Sequence, residues 1–340
     1  MRSPAFWWRR PGLAALALWP ASAAWGRIVA RRMNRPPAFV APVPVICVGN
    51  YTGGGEGKTP TALAVAAMLR DMGLHPGFLT RGYGGREAST IVVDKGADPA
   101  EVGDEALLLA RAGLTVLSGN RPLGAQLLVK VGANAIVMDD GFQNPSLAKD
   151  LAMVVTDSNN GLGNRMVMPS GPLRAPLAAQ LAHTDVLVVI GRGAAHEGLM
   201  RIAARSNRRV LGARLVPVDP PQWDERRVLA YAAIGRPEKF FTALEEAGAR
   251  LAGRKPFPDH HMMTDAEAAT LLSHARGGGV RLMTTEKDMA RLAGARGALA
   301  ELRQRSEVFR IRLDFDEPAA VVRLLGETVE KVRSRRRSGA

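Results

Sequence analysis

The sequence predicts an α/β protein: a mostly parallel sheet covered by helices on both faces, then a second, smaller α/β unit, with a membrane-associated helix in front. Three observations predict this. Short apolar runs alternate with helical segments, the pattern of parallel strands joined by crossover helices. The alternation restarts after Pro217-Val-Asp-Pro-Pro221. The front of the chain holds a charge-free stretch flanked by arginines. The expected division is therefore residues 1–35, 36–220 and 221–340.

In the large unit, Val43–Gly49 reads as an apolar strand and Lys58–Met72 as a helix with Leu63, Ala66, Ala67 and Leu69 on one side. Gly77–Thr80, Thr90–Val93, Thr115–Leu117 and Ala135–Met138 read as strands, with helices over Val102–Ala112 and Leu123–Val131. Leu151–Thr156 and Asp185–Ile190 continue the series, and the unbroken apolar run of the latter suits a strand buried on both faces. Val228–Ile234, Pro237–Glu246, Thr264–Ala275, Val280–Thr284, Val308–Phe315 and Pro318–Arg333 form the second α/β series.

Pro11 to Gly26 is sixteen residues without a charge. As a helix it spans about 24 Å, short of the roughly 30 Å of hydrocarbon in a bilayer, and Pro20 interrupts it. Trp7, Trp8, Trp19 and Trp25 suit the headgroup level, and Arg2, Arg9, Arg10, Arg27, Arg31, Arg32 and Arg35 suit anionic lipid. The expectation is an anchor lying in or dipping into one leaflet. Arg9-Arg10, the apolar stretch and Ala21-Ser22-Ala23 also fit a signal peptide, and a helix packed on the body is a third reading.

The 340 residues suffice for two cores, and the net charge of +14 calls for an anionic partner. A basic tail, Lys331 to Arg337, adds to that charge or is a solvated helix end. No RNA-binding aromatic pattern or helix-turn-helix is present, so nucleic acid is not expected. The one cysteine, Cys47, lies in an apolar run and reads as a buried structural thiol.

The chemistry begins at Gly49-Asn-Tyr-Thr-Gly-Gly-Gly-Glu-Gly-Lys-Thr-Pro60, which follows a strand and opens a helix. This is the setting of a P-loop, so the large sheet reads as P-loop NTPase-like. Thr52, Gly53, Gly54, Gly55, Glu56, Gly57, Lys58 and Thr59 form the phosphate cradle. The glycines let backbone N–H groups approach phosphate, and the helix N-terminus adds its positive dipole end. Lys58 reaches the terminal phosphates and the Thr59 hydroxyl suits Mg²⁺, so ATP and Mg²⁺ are the expected cofactors. Thr52 stands where the usual pattern has its first glycine. A site that needs ATP argues against export.

Ile136-Val-Met-Asp-Asp-Gly-Phe-Gln143 is an apolar strand ending in acid, and Asp139 or Asp140 would hold the metal. Asp104 opens a helix, where it is a first-turn acid or a base for a hydroxyl proton. Asp259-His260-His261 precedes a helix capped by Thr264, a surface pair or a catalytic one. Thr284-Thr-Glu-Lys-Asp288 fails the guanine pattern, because Met289 stands where the aspartate is needed; ATP is favoured over GTP.

In this order, Val48-Gly-Asn50, Gly54-Gly-x-Gly-Lys-Thr-Pro60, Thr80-Arg-Gly-Tyr-Gly84, Gly103-Asp-Glu105, Asp139-Asp-Gly-Phe-Gln143, Gly163-Asn164, Pro169-x-Gly-Pro-Leu-Arg174, Ile234-x-x-Pro237, Asp259-His260 and Thr284-Thr-Glu-Lys-Asp288 resemble the tetraacyldisaccharide 4′-kinases, the lipid A kinases of Gram-negative inner membranes. The resemblance runs from about Pro42 to Asp288. It implies transfer of the ATP γ-phosphoryl group to the 4′-hydroxyl of an acylated glucosamine disaccharide phosphate, giving lipid IVA, at the cytoplasmic face of the membrane. It implies that Asp104 is the base, paired with His260 across the two units, with His261 the weaker alternative. It also implies that Asp139 and Asp140 form the Mg²⁺ side, and that Gln143, Arg121 and Arg174 lie near the nucleotide or the reacting phosphate. Ala175 stands where the family usually has Glu, which puts any role of that Glu in doubt here.

Overall fold

The computed structural model describes all residues except 1–3, 83–84, 88, 219–222, 224–226 and 339–340. Tyr83 and Gly84 of the Thr80–Gly84 motif, Arg2, and the expected boundary at residue 220 thus lie outside the described residues. The strands are β1 (Val45–Asn50), β2 (Pro76–Thr80), β3 (Ile91–Val92), β4 (Thr115–Leu117), β5 (Ala135–Asp139), β6 (Leu151–Asp157), β7 (Val186–Ile190), β8 (Arg209–Pro217), β9 (Val228–Ala232), β10 (Leu251–Pro256), β11 (Arg281–Thr284), β12 (Ser306–Val308) and β13 (Ile311–Phe315).

Nine strands form one sheet in the order β13-β8-β7-β6-β1-β5-β2-β4-β3. It is parallel except at its two ends, where β13 runs against β8 and β3 against β4. The central strands β1, β5, β6 and β7 are buried along their whole length, as continuous apolar runs require. Helices Lys58–Asp71 and Pro318–Ser338 cover one face, with Ala62, Val65, Ala66 and Leu69 from the first and Val321, Leu325 and Val329 from the second at helical spacing. Ala125 and Leu128 of helix Arg121–Lys130 and Leu199 and Ala203 of helix His196–Arg205 cover the other. Cys47 is buried in that core, and burial pushes its thiol up to about 11.

The second sheet has four parallel strands, β10-β9-β11-β12. Phe240, Phe241 and Leu244 pack on one side of it and Leu271, Leu272 and Leu302 on the other. Here the chain departs from the sequence reading. Val308–Phe315 is not one element: it splits between β12 in the small sheet and β13 in the large one, where Leu313 pairs with Leu215 of β8. Strand β13 therefore belongs to the large sheet, helix Pro318–Ser338 packs on that sheet, and the small sheet lies within residues 228–308.

At the front, helices Leu13–Ala17 and Trp19–Met33 have two faces. Ser22, Gly26 and Met33 are buried; the Ser22 hydroxyl accepts the Ser170 amide at 2.9 Å, and Gly26 lies against Pro176. Leu13, Leu16, Trp19, Trp25 and Ile28 are exposed. No described helix is long and apolar enough to cross a membrane.

Candidate active site

The site gathers at the carboxyl ends of β1, β5 and β6, where open α/β sheets bind ligands. After β1 the chain turns through residues 51–57 into helix Lys58–Asp71. Gly57 is in the left-handed region (φ 92°), and a Cβ there would sit 2.5 Å from Ile190 Cδ1, so only glycine fits. Asn50 Nδ2 donates to the carbonyls of Thr52 and Gly54 at 2.7 and 3.3 Å and shapes the turn from beneath. The Thr52 hydroxyl donates to Glu56, whose buried carboxyl also accepts the Asp157 amide at 3.3 Å. Burial raises the pKa of Glu56. Thr52 and Glu56 thus brace the loop from within, while Gly53, Gly54 and Gly55 form its rim. Thr59 is buried in the first helical turn.

The consecutive acids at the end of β5 differ. Asp139 is 1% exposed, and its Oδ1 has no hydrogen-bond partner among the described residues. Burial, with the Glu105 charge adding to it, pushes its carboxyl up to about 7. Asp140 has φ 52° and turns its carboxylate to the cations: Arg174 meets it with two nitrogens at 2.7 and 3.3 Å, and Lys58 Nζ stands 3.8 Å away. Burial works against that charge, yet Lys58 and Arg174 hold the Asp140 carboxyl below the usual range.

Arg174 also donates to the Thr52 carbonyl at 3.0 Å, which ties Asp140 to the cradle. Arg121 is buried and donates to the carbonyls of Ser118 and Asp140 at 3.2 and 3.4 Å. Gln143 donates to the Asn50 carbonyl at 2.8 Å and to Gln180 at 2.9 Å. These two side chains hold the loops on either side of Asp139-Asp140. Ala175 is buried in the core, so the position offers nothing to a metal.

The small unit meets the large one at Asp104. Asp104, 4% exposed, opens helix Asp104–Ala112, and His260 Nδ1 lies 3.5 Å from its Oδ1. Burial raises the carboxyl, but the His260 hydrogen bond and the Arg291 charge bring it far below its ordinary value. Hydrogen bonding to Asp104 in turn raises His260. His261 is placed elsewhere: it stacks on Phe257 and bonds Glu267 at 2.9 Å inside the cap of helix Asp265–Gly278.

Four further cations meet acids of the large unit; Lys287 lies in the Thr284–Asp288 motif, whereas no motif marks Arg291, Arg236 or Lys239. Lys287 pairs with Glu105 and Arg291 with Asp104. On the other side of the cradle, Arg236 donates to Asp157 at 2.7 Å, Lys239 also contacts Asp157, and the Arg236 guanidinium lies 5.0 Å over the Trp8 ring. Asp157 itself carried a signal, because it is an acid at a strand's carboxyl end like Asp139.

A sheet that presents a phosphate cradle after β1, an acid after β5 and a carboxylate–imidazole pair completed by a second unit defines a P-loop phosphotransferase. The chain belongs to the LpxK family, the tetraacyldisaccharide-1-P 4′-kinases, which it matches over residues 14–330. It is 51% identical over 325 residues to a tetraacyldisaccharide 4′-kinase of Methylobacterium radiotolerans, covering 95% of this chain and 97% of that one. It is 46% identical over 335 residues to the enzyme of the same name from Sinorhizobium fredii, covering 98% and 97%. The solved structure of Aquifex aeolicus LpxK in complex with ATP covers 93% of this chain and 100% of that one, with a TM-score of 0.72 and 23% identity, a likeness of fold.

Proposed function

We propose that this kinase transfers the γ-phosphoryl group of ATP to the 4′-hydroxyl of a tetraacylated glucosamine disaccharide 1-phosphate, forming lipid IVA. The observation that carries the reading is the Asp104–His260 pair, 3.5 Å apart and completed only by the small unit. The cradle amides of residues 53–57 and Lys58 bind the phosphates. The 4′-oxygen attacks the γ-phosphorus, the bond to the β–γ bridging oxygen breaks, and ADP leaves. The hydroxyl proton passes to Asp104, with His260 beside it to share the charge.

The orphaned, buried Oδ1 of Asp139 and the Thr59 hydroxyl beside the cradle fit a Mg²⁺ ion that takes its remaining ligands from phosphate and water. Bound there, the ion would neutralise charge on the transferring group. Asp140, engaged by Arg174 and Lys58, would hold those cations in place and meet the metal through water. Arg174, Arg121 and Gln143 keep the cradle and the Asp139-Asp140 turn in register. The small unit acts as a lid that excludes water from the transfer.

The exposed Leu13, Leu16, Trp19, Trp25 and Ile28, with Arg27, Arg31 and Arg32 alongside, support docking on an anionic membrane surface at the cytoplasmic face of the inner membrane. An acylated acceptor would be met there. The test is mass analysis of the disaccharide 1-phosphate after incubation with Mg-ATP. Gain of one phosphate at the 4′ position is expected; ATP hydrolysis with unchanged lipid would sink the reading.

A further inference from the structure

Asp104 and Glu105 are each met by a cation from one turn of the small unit. Lys287 reaches Glu105, and Arg291, four residues on and so on the same helix face, reaches Asp104. Arg291 is aimed before it arrives. Its Nη1 donates to the Ala233 carbonyl at 2.6 Å and to Asp288 Oδ1 at 2.8 Å. Asp288 is itself fixed, accepting the Ala233 amide at 3.1 Å and the Thr285 hydroxyl at 2.6 Å. That leaves Nη2, which contacts Asp104 Oδ2 and lies 3.5 Å from His260 Nδ1. One buried guanidinium, its side chain 6% exposed, therefore touches both members of the pair. Stability alone is a weak reason to bury it, since apolar packing serves as well as a buried ion pair.

We propose that Arg291 is a positioning residue for phosphoryl transfer: it sets the Asp104 carboxylate against His260 when the small unit is in place and stands as the direct counter-charge of that carboxylate. The proposal rests on the reading of Asp104 as the base. The groups that face Asp104 are His260 and Arg291, with the Lys287 charge beyond them, while the negative charges of Glu105 and Asp288 stand on the flanks. Burial pushes the Asp104 carboxyl up and these cations pull it down. Without Arg291 the burial remains and one direct counter-charge is gone, so the carboxyl titrates at higher pH.

The test is the pH profile of kcat in the full chain with Mg-ATP and the acylated disaccharide 1-phosphate. For Arg291→Gln, kcat at neutral pH falls about 10²-fold, as for a misplaced reacting group. The acid limb moves up by about 1–3 pH units, the range for loss of an adjacent opposite charge. KM for ATP is little changed. Arg291→Lys, which keeps the charge but not the fork, leaves the limb in place with a smaller loss of kcat. An acid limb that stays put in Arg291→Gln overturns the proposal. If that variant does not fold, Arg291→Lys decides: a reduced kcat on an unmoved limb supports the proposal, and a wild-type kcat or a displaced limb overturns it. Asp104→Asn is run alongside. If it retains wild-type turnover, the base reading fails and the proposal with it; if it is inactive while the Arg291 limb is unmoved, only the proposal fails.

Discussion

Two seams join the small unit to the large one, and their charges are arranged differently. Along the first, acids and cations match: Asp104 with Arg291, Glu105 with Lys287, and His260 added beside Asp104. Along the second, Asp157 takes both Arg236 and Lys239. The nearby Glu56 is 3.9 Å from Arg236, but burial favours its neutral form. Arg236 Nη2 is buried and has no hydrogen-bond partner among the described residues. The first seam thus gives each of Asp104 and Glu105 its own cation, and Asp104 is the proton acceptor of the proposed function. The second sets two cations on Asp157 beside the cradle rim, with Nη2 4.0 Å from where a Cβ on Gly54 would stand.

The largest expected effect falls on the cation of the cradle itself, which stands 3.8 Å from Asp140 and outside both seams. Lys58→Ala deletes the cradle lysine, and kcat for lipid phosphorylation falls about 10²–10³-fold, the scale for loss of one preorganised charge donor. Steady-state transfer measures it, and a loss under tenfold would show that the cradle is not where the phosphate is held. Next comes the second seam alone. Arg236→Ala raises KM for ATP about tenfold, the scale of one charge-assisted hydrogen bond, while the acid limb of kcat does not move. A moved limb with unchanged KM would reverse the roles assigned to the two seams.

How far these seams could be read in the sequence depends on distance along the chain. The cradle and Asp139-Asp140 are legible because each is a local pattern at a strand or helix end; Asp104 alone also reads as a first-turn acid, and its role as base comes from the resemblance. Arg291 is not legible, since Asp104 lies 187 residues away and neither neighbourhood encodes the meeting. The split of 308–315 was hidden for the same reason: both halves are strand-like, and only long-range pairing assigns β12 and β13 to different sheets. Strand β10 was missed because Arg254 and Lys255 leave it exposed at a sheet edge, without the apolar run that marks β1 or β7. The His261 position failed as an alternative because its ring is already spent on Phe257 and Glu267.

A smaller effect lies between the seams. The Asp139 carboxyl stands at about 7 in the folded chain against 3.8 ordinarily. The folded state therefore binds its proton more tightly, and this contribution to stability is present below the lower value and lost as pH rises toward the higher one. In metal-free protein, Asp139→Asn flattens the dependence of Tm on pH across that window; an unaltered slope would mean the buried oxygen is satisfied some other way. The smallest effect leaves both seams intact. Replacing Trp19 and Trp25 by Gln lowers partitioning onto anionic vesicles by roughly tenfold or more without altering ATP affinity. Unchanged partitioning would move the membrane contact elsewhere.

The most direct test of the central claim, that the first seam assembles the proton acceptor beside a phosphate-bearing cradle, is single-turnover transfer from γ-labelled ATP in Asp104→Asn. Nucleotide should bind with wild-type affinity while the label stays on ATP and none reaches the disaccharide. Labelled lipid formed at the wild-type rate would contradict the account.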